Sequence, residues 1–339
     1  MIKHTIGVIG CGKQGDKHAA ALKALGQDVV VADADQKAAD NLAARLGCDA
    51  RSVADVLAGG SISGVVVATP TFTHFDLISK ALRAGKDVLC EKPLARNRAE
   101  AESLARIEED TGRHVMVGFI YRHVPAFERL QELGGGDLLG PLVHAHLRIG
   151  GRGDHRAWKH RRGEGGGVLN EMAVHMLDLA LWLFGPLRRP AVLAAALLAP
   201  ERRIGGQTLA ADAEDYLVVR AETAMGAPVL LLADMVTPAF VQYLDVQYAN
   251  ASAFASIDHN FPARFVLKEG RAEFAPGPHP LAEGGADLYR RQADAFLAMI
   301  QGGEPPGRNT IADSIAVAKL VEEIAAQIPE APAAKSAAR

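Results

Sequence analysis

The sequence predicts two domains: an N-terminal α/β domain built on a doubly wound parallel sheet, and a C-terminal α+β domain with a largely antiparallel open sheet. Three observations carry this. Strand-like and helix-like segments alternate through the first third of the chain, and a glycine-rich turn, Gly10-Cys11-Gly12-Lys13-Gln14-Gly15, closes the first strand. Beyond Pro125 strand-like runs follow one another without helices between them, the grammar of an antiparallel sheet. A length of 339 residues exceeds one ordinary core and suits two.

In order, residues 6–9, 29–33, 64–69, 87–90 and 115–119 read as strands, near-continuous runs of Val, Ile and Ala expected where helices cover both faces of a sheet. Helices are expected at 18–25, 37–46, 73–84 and 99–111, the third ended by Gly85. After Pro125 come a helix at 126–133 ended by three glycines, a strand at 142–149 and a Gly- and Arg-rich loop at 150–167. A strong helix at 169–184 is stopped by Gly185-Pro186. Strands at 215–221, 228–235, 244–248 and 264–267 then precede two periodic helices at 288–301 and 311–328. The expected division is 1–122 for dinucleotide binding and 123–304 for substrate binding and oligomerisation, with the helix around 305–328 packing back on the first domain and an unstructured tail at 329–339.

A net charge of −3 gives no global attraction to nucleic acid or an anionic membrane, so the expected partner is a small molecule. The three cysteines, Cys11, Cys48 and Cys90, form neither a CxxC pair nor an even-numbered framework, which argues against disulfides and structural zinc and fits a reducing cytoplasm. No signal peptide is expected before the first strand, and the longest apolar runs, such as 191–199, fall short of the ~20 residues that span a bilayer.

The glycine pattern is weak as a string but sits between a strand and a helix and is trailed by Asp33, closing the next strand. In that context Gly10, Gly12 and Gly15 let the backbone approach a pyrophosphate, the helix start at Lys13 and Gln14 holds its charge, and Asp33 takes a ribose diol, as in a Rossmann-type domain. Asp33 also selects the dinucleotide. A 2′-phosphate would meet Asp33 and Asp35, with Ala34 where an arginine is wanted, and like charges ~4 Å apart repel by up to ~4 kcal/mol at an effective dielectric of ~20. NAD is therefore expected over NADP.

Thr69, Pro70 and His74 follow the strand at 64–69 and fall at the carboxyl edge of the sheet, where ligands bind; His74 either lines the site or positions the helix it enters. Glu91 and Lys92 follow the strand at 87–90 and share that edge, which makes Lys92 a working lysine. Further on, Glu171 and His175 are four apart and Asp178 three beyond, so one α-helical face carries all three: a carboxylate that holds an imidazole and supports its cation, or a solvated stripe. The set is too small for a metal shell, and none is expected. Arg152, His155, Arg156, Lys159, His160, Arg161 and Arg162 make the preceding loop basic, a carboxylate or phosphate clamp or a solvated surface, and Trp158 offers an apolar face to a sugar ring.

Taken together, the glycine turn, Ala68-Thr69-Pro70 with His74, Glu91-Lys92-Pro93, Tyr121-Arg122 with Pro125, the 165–178 segment and the helix at 289–296 resemble the Gfo/Idh/MocA family of NAD(P)-dependent oxidoreductases, which act on sugars, inositols and nucleotide sugars. The resemblance covers nearly the whole chain. It implies that Lys92 contacts substrate, that the Lys92–Pro93 bond is cis, and that the late helices return toward the nucleotide domain. One departure stands out: the family's commoner residue four before the histidine is Asp, and here it is Glu171.

The expected activity is a reversible, NAD-dependent oxidation of a secondary hydroxyl on a sugar, sugar acid, nucleotide sugar or inositol-like polyol. His175 would take the hydroxyl proton, Lys92 stabilise the developing alkoxide and Glu171 orient His175, while Tyr121, Arg122, Arg156, Trp158 and Arg161 position the substrate. Two alternatives stay open: a glycosidase of the same family that uses NAD transiently, and a non-catalytic sugar or dinucleotide sensor. A homo-oligomer, dimer or tetramer, is expected through the second domain's sheet.

Overall fold

The computed structural model describes residues 2–153, 156–258, 261, 263–271, 273–282, 286–302 and 309–329. Asp154 and His155 of the basic loop, and the tail from 330 on, lie outside the described residues. The chain forms two compact units, Met1–His123 with Ala286–Ala318, and Val124–Gly285 with Lys319–Arg339.

In the first unit β1 (Thr5–Ile9), α1 (Lys13–Ala24), β2 (Asp28–Ala32), α2 (Gln36–Leu46), β3 (Asp49–Ala50), α3 (Val53–Ala58), β4 (Gly64–Val67), α4 (His74–Arg83), β5 (Asp87–Cys90), α5 (Arg98–Thr111) and β6 (Val115–Val117) alternate as the sequence predicts. The strands form one parallel sheet in the order β3-β2-β1-β4-β5-β6. In that order the direction of winding reverses between β1 and β4, and ligands bind at such a switch point. Register keeps the ends level, with Ile9 beside both Ala32 and Val67, and Val67 beside Cys90. The residues that follow, Gly10, Asp33, Ala68 and Glu91, therefore share one edge. The short β3 and α3 escape the sequence reading because two and six residues are too few to show a period.

The second unit holds α6 (Pro125–Gly134), β7 (Leu142–Gly150), α7 (Val174–Phe184), β8 (Leu187–Ala196), a β9 (Glu201–Ile204) and β10 (Gln207–Ala210) hairpin, β11 (Tyr216–Thr223), β12 (Pro228–Asp234), β13 (Val241–Tyr248), β14 (Ala251–Ala255), β15 (Arg264–Leu267) and β16 (Gly277–Pro280). Eight of these strands form one sheet, β16-β15-β14-β13-β7-β12-β11-β8, antiparallel except where β7 and β12 run parallel. The parallel pair is possible because the long excursion through α7 returns the chain in the same direction. Burial alternates strictly along β13: Leu244 and Val246 are buried with Ala145 and Leu147 of β7 on one face, while Tyr243 points to the other. There it stacks on Phe254 at 5.4 Å, with Phe261 beside them at 6.2 to 6.5 Å.

The segment Arg162–Phe184 passes the length and composition test for a membrane span, but Val174, Met176, Leu177, Leu179 and Ala180 are buried, which makes it a core helix.

The last two helices are α8 (Leu288–Ile300) and α9 (Ile311–Ala325). The sequence reading places residues up to 304 in the second domain, and the structure corrects this: α8 belongs to the first unit. Its Ala293, Phe296, Leu297 and Met299 complete the cluster formed by Ala19, Leu22 and Val31, and each large side chain so buried is worth about 2 kcal/mol. Periodicity shows that α8 has an apolar face but not what covers it. The division between the units falls within α9.

Candidate active site

At the carboxyl edge of the first unit the chain turns tightly from β1 into α1. Gly10 takes φ +101°, and a Cβ there would lie 2.5 Å from the Ala68 carbonyl oxygen; a Cβ on Gly15 would lie 1.7 Å from the Gly10 carbonyl oxygen. No side chain fits either place. Gly12 caps α1 without a side-chain hydrogen bond, so the N–H groups of the first turn, from Lys13, Gln14 and Gly15, are left for an external anion.

Asp33 is held in place: its Oδ2 accepts from the Cys11 N–H at 2.7 Å and its Oδ1 from the Asp35 N–H at 2.9 Å. The fixed carboxylate still has lone pairs for a ribose diol and cannot swing away from a 2′-phosphate. Burial, with Asp33 adding to it, pushes the Cys11 thiol up to about 12, so the turn carries no thiolate to repel a pyrophosphate. The cradle, the helix start and the fixed acid together fit an adenine dinucleotide.

The lip of the edge is built by Thr69, whose Oγ1 lies 2.7 Å from Thr73 Oγ1, and by the exposed Pro70. His74 does not line it. The ring is buried with Nδ1 2.9 Å from the Pro93 carbonyl and Nε2 2.9 Å from the Thr69 carbonyl, so it ties the start of α4 to both loops; burial drives its pKa down against those carbonyls. Lys92 is half-buried, and its bond to Pro93 is cis. Glu91 is buried with Oε1 2.8 Å from His18 Nε2 on α1. Burial raises its pKa, but the hydrogen bond and charge of His18, and Lys92, outweigh that and hold it below the ordinary value.

Arg122 does not reach a substrate either. It is 1% exposed, pairs with Asp313 at 3.1 Å and lies over the Phe119 ring at 5.7 Å. Asp313 in turn accepts from the Thr310 N–H at 2.8 Å, so this pair staples the end of β6 to the start of α9. Tyr121 beside it is half-buried, and burial pushes its phenol up.

In the second unit the helix expected at 169–184 begins differently. Leu169–Ala173 form a turn of π-helix, with α7 proper starting at Val174. A π turn closes i→i+5 hydrogen bonds where the sequence reading counts α-helical turns, and such turns recur at functional sites. Glu171 is buried and hydrogen-bonds Lys159 Nζ, which also stands 5.3 Å from the Trp158 ring. The extra methylene of Glu over Asp extends its reach toward that lysine. His175 is half-buried and Asp178 buried. Glu214 fixes the helix start, its Oε1 accepting from the Leu169 N–H at 3.3 Å, and burial raises its pKa.

The basic loop is largely neutralised inside this unit. Arg161 pairs with Glu164 at 3.0 Å, Arg162 with Glu214 at 3.4 Å, and Lys159 with Glu171. Arg156 and Arg161 are exposed, and Trp158 is half-buried. Among the described residues no group of three or more His, Cys, Asp or Glu is placed to hold a metal. Sequence reasoning missed His18, Asp313 and Glu214, and placed Lys159 in the basic loop without its partner Glu171. His18 follows the last glycine of the turn by three residues and was readable only as a core histidine.

Residues 4–119 match an oxidoreductase family with an NAD-binding Rossmann fold, and residues 127–252 match the GFO/IDH/MocA C-terminal domain. The chain belongs to this family, whose first domain binds NAD. It is 28% identical over 315 residues to inositol 2-dehydrogenase of Rhizobium meliloti (strain 1021), covering 90% of this chain and 92% of that one. It is also 28% identical over 328 residues to myo-inositol dehydrogenase Hyg17 of Streptomyces leeuwenhoekii, covering 91% and 93%. Among solved structures, levoglucosan dehydrogenase in complex with NADH superposes with a TM-score of 0.84 at 21% identity, covering 98% of this chain and 100% of that one, a likeness of fold.

Proposed function

We propose that the protein is an NAD-dependent dehydrogenase that reversibly oxidises a secondary hydroxyl of a sugar or cyclic polyol. The observation that carries the reading is the carboxyl edge of the first unit, where the glycine cradle, the fixed Asp33 and Lys92 follow three strands of one sheet. Relatives that match over nine-tenths of the chain are inositol dehydrogenases, which supports the substrate class.

NAD, when bound, supplies the hydride acceptor. The first-turn N–H groups of α1 hold its pyrophosphate and Asp33 its ribose. The Lys92 ammonium donates to the substrate oxygen and stabilises the charge that develops as its proton leaves; His175 takes that proton at a ring nitrogen. Glu171, engaged by Lys159, keeps a compensated charge at the start of the helix that carries His175.

An uncharged substrate fits better than an acidic one, because Lys159, Arg161 and Arg162 are each paired with a carboxylate of the same unit. We further propose a homo-oligomer formed through the outer face of the eight-stranded sheet, which carries the Tyr243, Phe254 and Phe261 cluster and, across β7, the half-buried Leu230 and Leu232, and residence in the cytoplasm, which the three free thiols suit. The test is a panel of inositols, aldoses, anhydrosugars, sugar acids and nucleotide sugars offered with NAD. NADH forming with a neutral polyol supports the reading, and its formation with none of them contradicts it.

A further inference from the structure

His18 is 1% exposed on α1, and its Nε2 lies 2.8 Å from Glu91 Oε1. Tyr289 of α8 stands edge-on to the imidazole at 5.1 Å, and its hydroxyl donates to Gln14 Oε1 at 3.0 Å. A buried histidine in such a place is ordinarily a core residue, but two features set this one apart. First, its Nδ1 is buried and has no hydrogen-bond partner, so the hydrogen-bonding capacity of the ring is spent on Glu91. Second, the carboxylate it holds belongs to Glu91, the residue bonded directly to Lys92 at the carboxyl end of β5. One carboxylate thus ties a side chain of the cofactor-binding helix to the residue from which the lysine springs.

We propose that His18 is a positioning residue for Lys92, acting through Glu91. The inference rests on the role given to Lys92 in the proposed function. The path runs from α1 through the imidazole and the carboxylate to the Lys92 peptide, and it fixes where the ammonium stands relative to the carboxyl edge of β5. A buried carboxylate without its donor either takes up a proton or turns to another cation, and Lys92 is the next one along the chain. Among the described residues, the titratable groups facing Glu91 include His18 on α1, Cys90 and Lys92 on either side of it, His74 on α4 and Tyr289 on α8.

The test uses the full chain with His18→Leu, His18→Gln and Glu91→Gln, each checked for folding by its melting temperature and for NAD affinity by titration calorimetry. The Lys92 amine is followed by NMR after reductive ¹³C-methylation, its resonance identified by its loss in Lys92→Met. His18→Leu is expected to keep NAD affinity within about threefold, to displace the Lys92 titration by about 0.5 unit or more, and to lower kcat by about tenfold with a smaller change in KM. His18→Gln, which keeps a donor, restores both. If His18→Leu fails to fold, the near-isosteric Glu91→Gln carries the measurement. An unmoved Lys92 titration in the folded variants overturns the proposal. A titration that moves in a protein oxidising no polyol leaves the positioning role standing and overturns the proposed function instead.

Discussion

Replacing Lys159 by methionine removes a cation in direct contact with the Glu171 carboxylate. The pair is in contact, with side-chain exposures of 25% for Lys159 and 9% for Glu171. Two unit charges ~4 Å apart at an effective dielectric of ~20 attract by about 4 kcal/mol, and breaking a fully buried pair from one side costs about 3–5 kcal/mol. Lys159 keeps contact with water, which screens part of that attraction, so the expected loss is about 2 kcal/mol at pH ~8. The pH dependence has a definite sign. In the variant the buried carboxylate loses the Lys159 charge, and burial favours its protonated form. Stability therefore falls as pH rises from ~4, and the loss is largest where the carboxyl is ionised. Urea unfolding of wild type and variant at pH 5 and pH 8 measures this, with Lys159→Met/Glu171→Gln recovering part of the loss at pH 8. A loss below ~0.5 kcal/mol, or one equal at both pH values, refutes the reasoning, because an exposed pair or a purely steric contact behaves that way.

Three further outcomes follow from the site. Asp33→Ser with Ala34→Arg will narrow or reverse the preference for NAD over NADP in titration calorimetry, since the carboxylate fixed by Cys11 and Asp35 is what a 2′-phosphate would meet. Lys92→Met and His175→Ala will keep most NAD affinity but lower kcat by ~10²- to 10⁴-fold, and the double variant will lose less than the product because both act on one proton and one charge. Glu91, whose pKa is held below its ordinary value, contributes stability that is present above the unfolded pKa of ~4.3 and lost as pH falls through the folded one, so Glu91→Gln will flatten the acid limb of the stability profile.

The sequence shows the parts of the site whose chemistry is local. Gly10 and Gly15 are legible because no other residue fits a Cβ position 2.5 or 1.7 Å from a carbonyl oxygen, and Asp33 because it ends the strand that follows. The β9–β10 hairpin was equally legible from Gly205-Gly206 between two strand-like runs, and the reading passed over it. What needs tertiary information is hidden. Glu91 and His18 are 73 residues apart and Arg122 and Asp313 further still, so neither pairing leaves a trace in spacing. The π turn at Leu169–Ala173 is a backbone slip that no composition encodes, and the contact of Glu171 with Lys159 joins residues whose pairing no helical spacing marks. Arg122, expected among the substrate contacts from the Tyr121-Arg122 motif, is buried and paired with Asp313.

The central claim is that a carbon-bound hydrogen of a sugar or polyol passes to NAD with net formation of NADH. The most direct measurement supplies an inositol deuterated at its ring carbons, with NAD, and determines by mass spectrometry whether the isolated nicotinamide product carries deuterium. The account predicts labelled NADH formed in step with ketone, and none with Lys92→Met. Turnover of a glycoside with no net NADH, or dinucleotide and sugar binding with no label transferred to any substrate tried, would contradict it.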